Sequence, residues 1–252
     1  MRSVQRALLV ATLFLLSVVA VPTVAAANSV TNEFISNLNE QLLYLAVPIA
    51  VLVEGILVYT VWRFRANGDD DGREPEPTRE NRQLEITWTV ATALVLLFVG
   101  TASFTTLAQP SVSSIIDDPQ SDDGLPDAPE DAVDVDIVAE QWEFTFEYPD
   151  ENVTTSDALV LPENQTVYMY VTSTDVIHSV HVPALGLKQD AIPGETHLLR
   201  TTATEEGEYR LYCAELCGQG HPEMLSTVRV VDEDEYESWL EDQRSESSND
   251  GN

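Results

Sequence analysis

CAELCGQGHPEM, residues 213–224, holds both cysteines of a 252-residue chain. The thiols sit four positions apart, with Glu215 between them and His221 and Met224 just beyond. Several chemistries compete for such a loop. A disulfide is the default for paired cysteines outside the cell. Bridging residues so close together closes a very small loop and restricts the unfolded chain little, and it leaves His221 and Met224 without a use. Tetrahedral zinc takes thiolate and imidazole, but thioether is not among its usual ligands. Copper favours soft thiolate and thioether together with imidazole, the set typical of electron-transfer sites. A mononuclear blue-copper site uses one cysteine, two histidines and a weak methionine. Two thiolates on one loop can each bridge two metals instead, so the expectation is a dinuclear copper cluster over which one electron is shared.

A further histidine must come from a neighbouring loop. His178 and His181 lie in DVIHSVHVPALGLKQDAIPG, residues 175–194, and on spacing they are nearly equal candidates. His197 follows the Pro193-Gly194 turn and reads as a surface histidine heading a strand.

Around these loops the pattern is that of short strands. Val133, Val135 and Ile137 fall on odd positions, and Trp142, Phe144, Phe146 and Tyr148 on even ones. That change of phase predicts a bulge or a crossing between sheets near 139–141. Residues 166–172, 207–213 and 224–231 read as further strands, and Pro193-Gly194 suits a type II turn. The fold class expected for 132–231 is therefore an all-β sandwich or barrel. Tyr236, Trp239 and Leu240 predict a short terminal helix with acids at its positive end. The polar tail after Arg244 is expected to be disordered, which makes 232–252 a helix and tail.

The first third is of another kind. Arg2 and Arg6 precede an apolar run at 7–21 and the small residues TVAAAN at 23–28, so 1–27 reads as a secretory signal, with an uncleaved membrane anchor as the alternative. Apolar runs at 42–62 and 86–107 are each close to the roughly 20 residues needed to cross a bilayer as helix. They make 28–109 a transmembrane hairpin. The connector at 63–85 carries Arg63, Arg65, Arg73, Arg79 and Arg82, whereas 28–41 and 108–131 carry no lysine or arginine. The connector is thus expected in the cytoplasm, and everything after 107 outside the cell membrane. Glu54 lies mid-span, where an unpaired charge costs about 3 kcal/mol or more, so it is expected to be protonated or to meet a polar group of a neighbouring subunit.

A linker rich in Asp, Ser and Pro at 110–131 joins the hairpin to the strands. From Pro110 onward there are 33 acidic and five basic residues. Nucleic acid and anionic surfaces are poor partners for such a domain. Acid spread over almost every loop fits adaptation to high salt better than a single docking patch.

The stretches 175–194 and 213–224, together with the hairpin, resemble subunit II of the haem–copper cytochrome c oxidases. There D-V-x-H-S-x-x-x-P-x-L-G-x-K-x-D-x-x-P-G precedes C-x-E-x-C-G-x-x-H-x-x-M in a cupredoxin domain. The likeness extends to LEITWT (84–89) and QWEFTFEYP (141–149). It implies an electron-accepting subunit of a proton-pumping terminal oxidase. Two copper ions in a binuclear copper A centre would be held by His178, Cys213, Cys217, His221 and Met224, with Glu215 coordinating through its backbone carbonyl. The resemblance also selects His178 over His181. The Glu215 carboxylate would face a magnesium ion shared with the haem-bearing subunit I. Trp142 would receive electrons from cytochrome c or a small blue-copper protein, and Glu85 would stand at the mouth of a proton path. For Trp142 a sandwich-core aromatic, and for Glu85 a helix-start acid, are equally good readings of the residues alone. Val180, His181 and Thr92 depart from what relatives commonly carry, and no C-x-x-C-H is present to attach a haem. A membrane-anchored copper-delivery protein, or the copper A subunit of a nitric oxide reductase, are the alternatives. Four histidines, one or two already used, cannot hold haems and a third copper, so no oxygen reduction is expected of this chain alone.

Overall fold

The computed structural model describes residues 28–65, 80–112 and 125–250. The leader expected at 1–27 lies outside these residues, as do most of the connector and of the acidic linker. Two compact units are distinguished, one of 38–103 and one of 28–37 with 104 onward.

The first unit consists of α1 (Val30–Phe64), from residue 38 on, and most of α2 (Arg82–Leu107). Both helices are long and apolar enough to cross a membrane, and none of their most apolar stretch is buried within the chain. Leu52, Leu57 and Val61 on α1, and Leu94, Leu96 and Leu97 on α2, are all exposed, which suits side chains facing lipid. Asn81 caps α2 by accepting the Leu84 N–H at 3.1 Å.

The second unit is a β-sandwich. One sheet has the order β3-β2-β1-β5-β8, built from β1 (Val133–Glu140), β2 (Glu143–Tyr148), β3 (Val153–Thr155), β5 (Thr166–Ser173) and β8 (His197–Thr202). The other has the order β4-β10-β9-β6-β7, built from β4 (Leu159–Pro162), β6 (His178–Val182), β7 (Leu187–Ala191), β9 (Gly207–Cys213) and β10 (Leu225–Val231). Parallel pairings of β1 with β5 and of β4 with β10 sit among antiparallel ones. This two-sheet arrangement is cupredoxin-like. Val135, Ile137, Phe146, Val167, Met169 and Val171 from the first sheet meet Leu161, Val182, Leu211 and Val228 from the second, all fully buried. The period-2 pattern thus puts the apolar side of each strand between the sheets.

The change of phase after Ile137 has a different cause from the one expected. β1 and β2 are antiparallel neighbours in one sheet, joined by the two-residue turn Gln141-Trp142, with Ala139 opposite Phe144 and Glu140 opposite Glu143. A two-residue turn pairs odd positions with even ones, so the same face switches parity without a bulge or a crossing. Pro193-Gly194 forms the expected turn, with Gly194 at φ 80° and the Glu195 N–H donating to Ile192 O at 3.1 Å.

Tyr148, at the end of β2, ties the two sheets together. Its hydroxyl donates to Val160 O and accepts from Val160 N–H, both at 2.9 Å, in a fully buried position. Tyr148→Phe leaves both backbone groups without that partner, so a loss of about 1–3 kcal/mol is expected in urea unfolding.

Asp134, on the outer side of β1, is a point of electrostatic stress. Partial burial, then the charges of Asp136, Asp150 and Asp127, push its carboxyl from 3.8 up to about 6. A raised acid binds its proton more tightly in the folded state, so stability falls as pH rises through that window and the charge is carried at a cost above it. After discounting for partial exposure, Asp134→Asn is expected to stabilise the domain by about 1 kcal/mol at pH 7. Thermal melts at pH 7 and below pH 4 check this, because the gain must vanish once both states hold the proton.

Two element boundaries differ from expectation. The first helix starts at Val30 rather than near residue 42. Ser29 caps it, accepting the Asn32 N–H at 3.0 Å, and donates to Leu185 O at 2.6 Å. Asn32 Nδ2 reaches Ala184 O at 2.8 Å, Thr31 Oγ1 lies 2.8 Å from Thr201 Oγ1 and donates to Ser111 O at 2.8 Å, and Thr204 N–H donates to Asn28 O. The first turn of α1 is thereby fastened to the sandwich. Gly186 (φ 67°) allows the close approach, since a Cβ there would stand 3.2 Å from the Asn32 backbone. At the other end, α3 (Glu233–Asp250) continues past Arg244 where disorder was expected. It starts on Asp232, which accepts the Glu235 N–H at 2.8 Å, packs Tyr236 and Leu240 on the core, and pairs Arg244 with Glu151. A helix nucleated and anchored this way propagates at little further cost.

Candidate metal centre

Cys213 is the last residue of β9, and the loop behind it is closed by Cys213 N–H donating to Met224 O at 3.1 Å. Ala214 N–H donates to Ser179 O at 3.0 Å, so the loop is also sewn to β6, which begins with His178. Strand ends of one sheet therefore bring the two distant motifs together.

The donor atoms converge. Cys213 Sγ and Cys217 Sγ are 3.7 Å apart, and both cysteines are free and buried. His178 Nδ1 lies 3.2 Å from Met224 Sδ and 3.8 Å from Cys213 Sγ. His221 Nδ1 lies 3.5 Å from Cys217 Sγ, and Glu215 O is 3.2 Å from Cys213 Sγ. His178, Cys213 and Cys217 form a metal-competent group with donor atoms all within 4.8 Å of one another. Burial, followed by the neighbouring Cys213 thiol, pushes the Cys217 thiol up to about 11. A thiol so placed stays protonated unless a cation takes its proton's place.

His178 is held for this task by Asp175. Its Nε2 lies 2.9 Å from Asp175 Oδ1. Burial works to raise that carboxyl, but the imidazole and the backbone N–H groups of Val176 and Gln141 outweigh it and keep Asp175 below its ordinary range. An ionised carboxylate only accepts, so Nε2 carries the proton and Nδ1 turns its lone pair to the sulfurs. No role for Asp175 was drawn from the sequence. The available signal was its spacing of three from the histidine, in a turn.

Strand parity separates the other histidines. His181 is an odd number of positions from His178 and stands on the outer side of β6, stacked on Tyr212 with ring centroids 4.9 Å apart. His197 heads β8 in the other sheet and lies 3.3 Å from Glu195.

Trp142 is no core aromatic. It occupies the β1–β2 turn, 43% exposed, and its Nε1 donates to Cys217 O at 3.2 Å. Gln141, unremarked in the sequence, donates to the same carbonyl from Nε2 at 2.6 Å. The indole lies flat against Gly220, where a Cβ would stand 2.4 Å from Trp142 Cδ2. The Glu215 side chain is exposed, and Glu85 is exposed in the first turn of α2.

Two family descriptions match: the transmembrane domain of cytochrome c oxidase subunit II over residues 8–106, and its periplasmic domain over 151–231. Cytochrome c oxidase subunit 2 of Cereibacter sphaeroides is 31% identical over 241 residues, covering 81% of this chain and 74% of that protein. The chain belongs to the cytochrome c oxidase subunit II family. A probable subunit 2 from Rickettsia bellii is 30% identical over 231 residues, covering 82% of this chain and 78% of its own. The crystal structure of the periplasmic domain of subunit II from Bradyrhizobium japonicum covers 47% of this chain and 97% of that one, at 30% identity and a TM-score of 0.45. Membership in the subunit II family makes the chain a component of a membrane oxidase, anchored by its two helices with the sandwich outside the cytoplasm.

Proposed function

We propose that the chain is the electron-accepting subunit of its oxidase, and that its cysteine loop holds a binuclear copper A centre. The observation that carries this reading is the donor set itself: two thiols, two imidazoles, a thioether and a backbone carbonyl, each within 3.8 Å of at least one other. His178, Cys213, Cys217, His221, Met224 and the Glu215 carbonyl would hold the two copper ions. Such a pair supplies a one-electron carrier with little rearrangement on reduction.

The chain's own residues do the rest. Asp175 fixes the His178 tautomer, and the buried sulfurs keep water from the site. Trp142 presents an exposed ring to a donor outside the membrane, cytochrome c or a small blue-copper protein, and its indole N–H touches the Cys217 carbonyl. From there electrons would pass to haem in subunit I, where oxygen is reduced and protons are pumped. The exposed Glu215 carboxylate would contribute to a magnesium site shared with that subunit, and Glu85 would receive protons at the cytoplasmic end of α2.

Copper per chain and electron paramagnetic resonance of the full chain test the reading. The full chain is needed, because a piece beginning at Pro110 loses the Ser29, Thr31 and Asn32 contacts. Two coppers with one unpaired electron split equally by both nuclei is the expected result. One copper, or a signal confined to one nucleus, removes the binuclear assignment and favours a copper-delivery role.

A further inference from the structure

A cavity of about 350 Å³ lies in the sandwich unit, away from the cysteine loop. Its walls include Phe34 from the first turns of α1, Pro110 and Ser111 directly after α2, and Tyr168, Arg200 and Thr202 from β5 and β8. Tyr168 and Arg200 are register partners on adjacent strands. The Arg200 guanidinium lies 5.3 Å from the Tyr168 ring centroid and donates through one terminal nitrogen to the Tyr168 hydroxyl at 3.0 Å. Stacking and that single bond fix the plane of the fork while occupying only one of its donors. Among the described residues no carboxylate pairs with Arg200, nor with Arg210 or Arg229, whereas Arg244 and Lys188 have acidic partners; of the three, Arg200 is the one that lines a cavity.

The surroundings are matched to an anion with an apolar stem. Ser111 and Thr202 add hydroxyls, the latter 3.2 Å from Thr166 Oγ1, while Phe34 and Pro110 supply an apolar side. Residue 110 follows the end of α2 at Leu107 by three positions in the chain.

We propose that this cavity binds a phosphate-bearing anion, with Arg200 as the charged ligand-binding residue. A planar guanidinium with free N–H donors and adjacent hydroxyls suits phosphate oxygens. Two sources share that chemistry, the headgroup of an anionic lipid and free phosphate; the acidic surface disfavours an anionic membrane face as a whole, so the attraction is confined to this one guanidinium and its hydroxyls.

The test uses the intact oxidase complex, delipidated in mild detergent. Native mass spectrometry counts the phosphatidylglycerol retained after reconstitution in vesicles of phosphatidylcholine with one-fifth phosphatidylglycerol, and ³¹P line widths follow titration with inorganic phosphate. Wild type is compared with Arg200→Gln, and with Arg210→Gln, which removes a guanidinium stacked on Tyr212 in the other sheet. The expected result is one fewer retained phosphatidylglycerol in Arg200→Gln, with Arg210→Gln like wild type. Equal lipid counts, with phosphate binding weakened about tenfold or more in Arg200→Gln alone, assign the same site to free phosphate. No difference between Arg200→Gln and wild type in either measurement overturns the proposal. If Arg200→Gln does not assemble, Arg200→Lys provides the comparison, since it keeps the charge over Tyr168 and loses the fork.

Discussion

Replacing Cys217 by serine is expected to abolish the copper pair and, with it, oxidase turnover. Cys217 Sγ lies at the centre of the loop's donors, within 3.8 Å of Cys213 Sγ, His221 Nδ1 and Met224 Sδ. A hydroxyl is a hard, weakly acidic donor and does not bridge two soft metals. Loss of an outer-shell partner typically costs ~10–100-fold in affinity or activity, so removing a bridging ligand should cost more than about 100-fold. The fold should survive. A buried hydroxyl in place of the thiol costs about 1–3 kcal/mol, less than the about 5–15 kcal/mol that holds a domain folded. Copper content, the resonance signal and turnover of the complex are the readouts. His197→Ala, which removes the histidine on the opposite sheet, should retain both coppers. If Cys217→Ser kept two coppers and a shared electron, the ligand assignment would be wrong.

The second large effect concerns Trp142 and is best reached through Gly220. The backbone at Gly220 has φ −85°, so alanine meets no conformational strain there. Its Cβ, however, would lie 2.4 Å from Trp142 Cδ2 and 2.7 Å from Cγ and Cε3. Those are rigid ring atoms, so the indole must swing away and release the Cys217 carbonyl. Gly220→Ala and Trp142→Ala should therefore slow reduction of the copper site by its external donor to a similar degree, about 100-fold, as misplacement by about 1 Å at a reacting contact does. Copper content and the internal step to haem, started by a photoreductant, should be unchanged. Stopped-flow rates equal to wild type in both variants would place electron uptake elsewhere on the surface.

Much of the site was legible because ligand chemistry is carried by a few residue types at short spacing. Cys213, Cys217, His221 and Met224 stand out by residue type and spacing alone, whereas the Glu215 carbonyl and the choice of His178 entered only through the family resemblance. What spacing left open, His178 against His181, is decided by strand parity, which requires knowing that both lie on one strand. The phase change near residue 140 was visible, but its cause was not. A bulge and a two-residue turn shift the pattern alike, and QW carries none of the Gly or Asn usual in such turns. Asp175 and Gln141 escaped because their partners, a histidine edge and a loop carbonyl, leave no mark in composition. The fastening of 28–32 to the sandwich escaped for the same reason. Its acceptors are the backbone carbonyls of Ala184 and Leu185, over 150 residues away, and any residue could have supplied them.

That fastening has a consequence for biogenesis. Residues 28–32 precede the segment that receives them, 184–204, by more than 150 residues. The buried Ser29 and Thr31 cannot find all their partners until β8 has been delivered, so their capture waits on export of most of the sandwich. A chain arrested before β8 would lack Thr201 and Thr204, so the Thr31 hydroxyl and the Asn28 carbonyl would miss those partners while Ser29 and Asn32 could already engage Leu185 and Ala184.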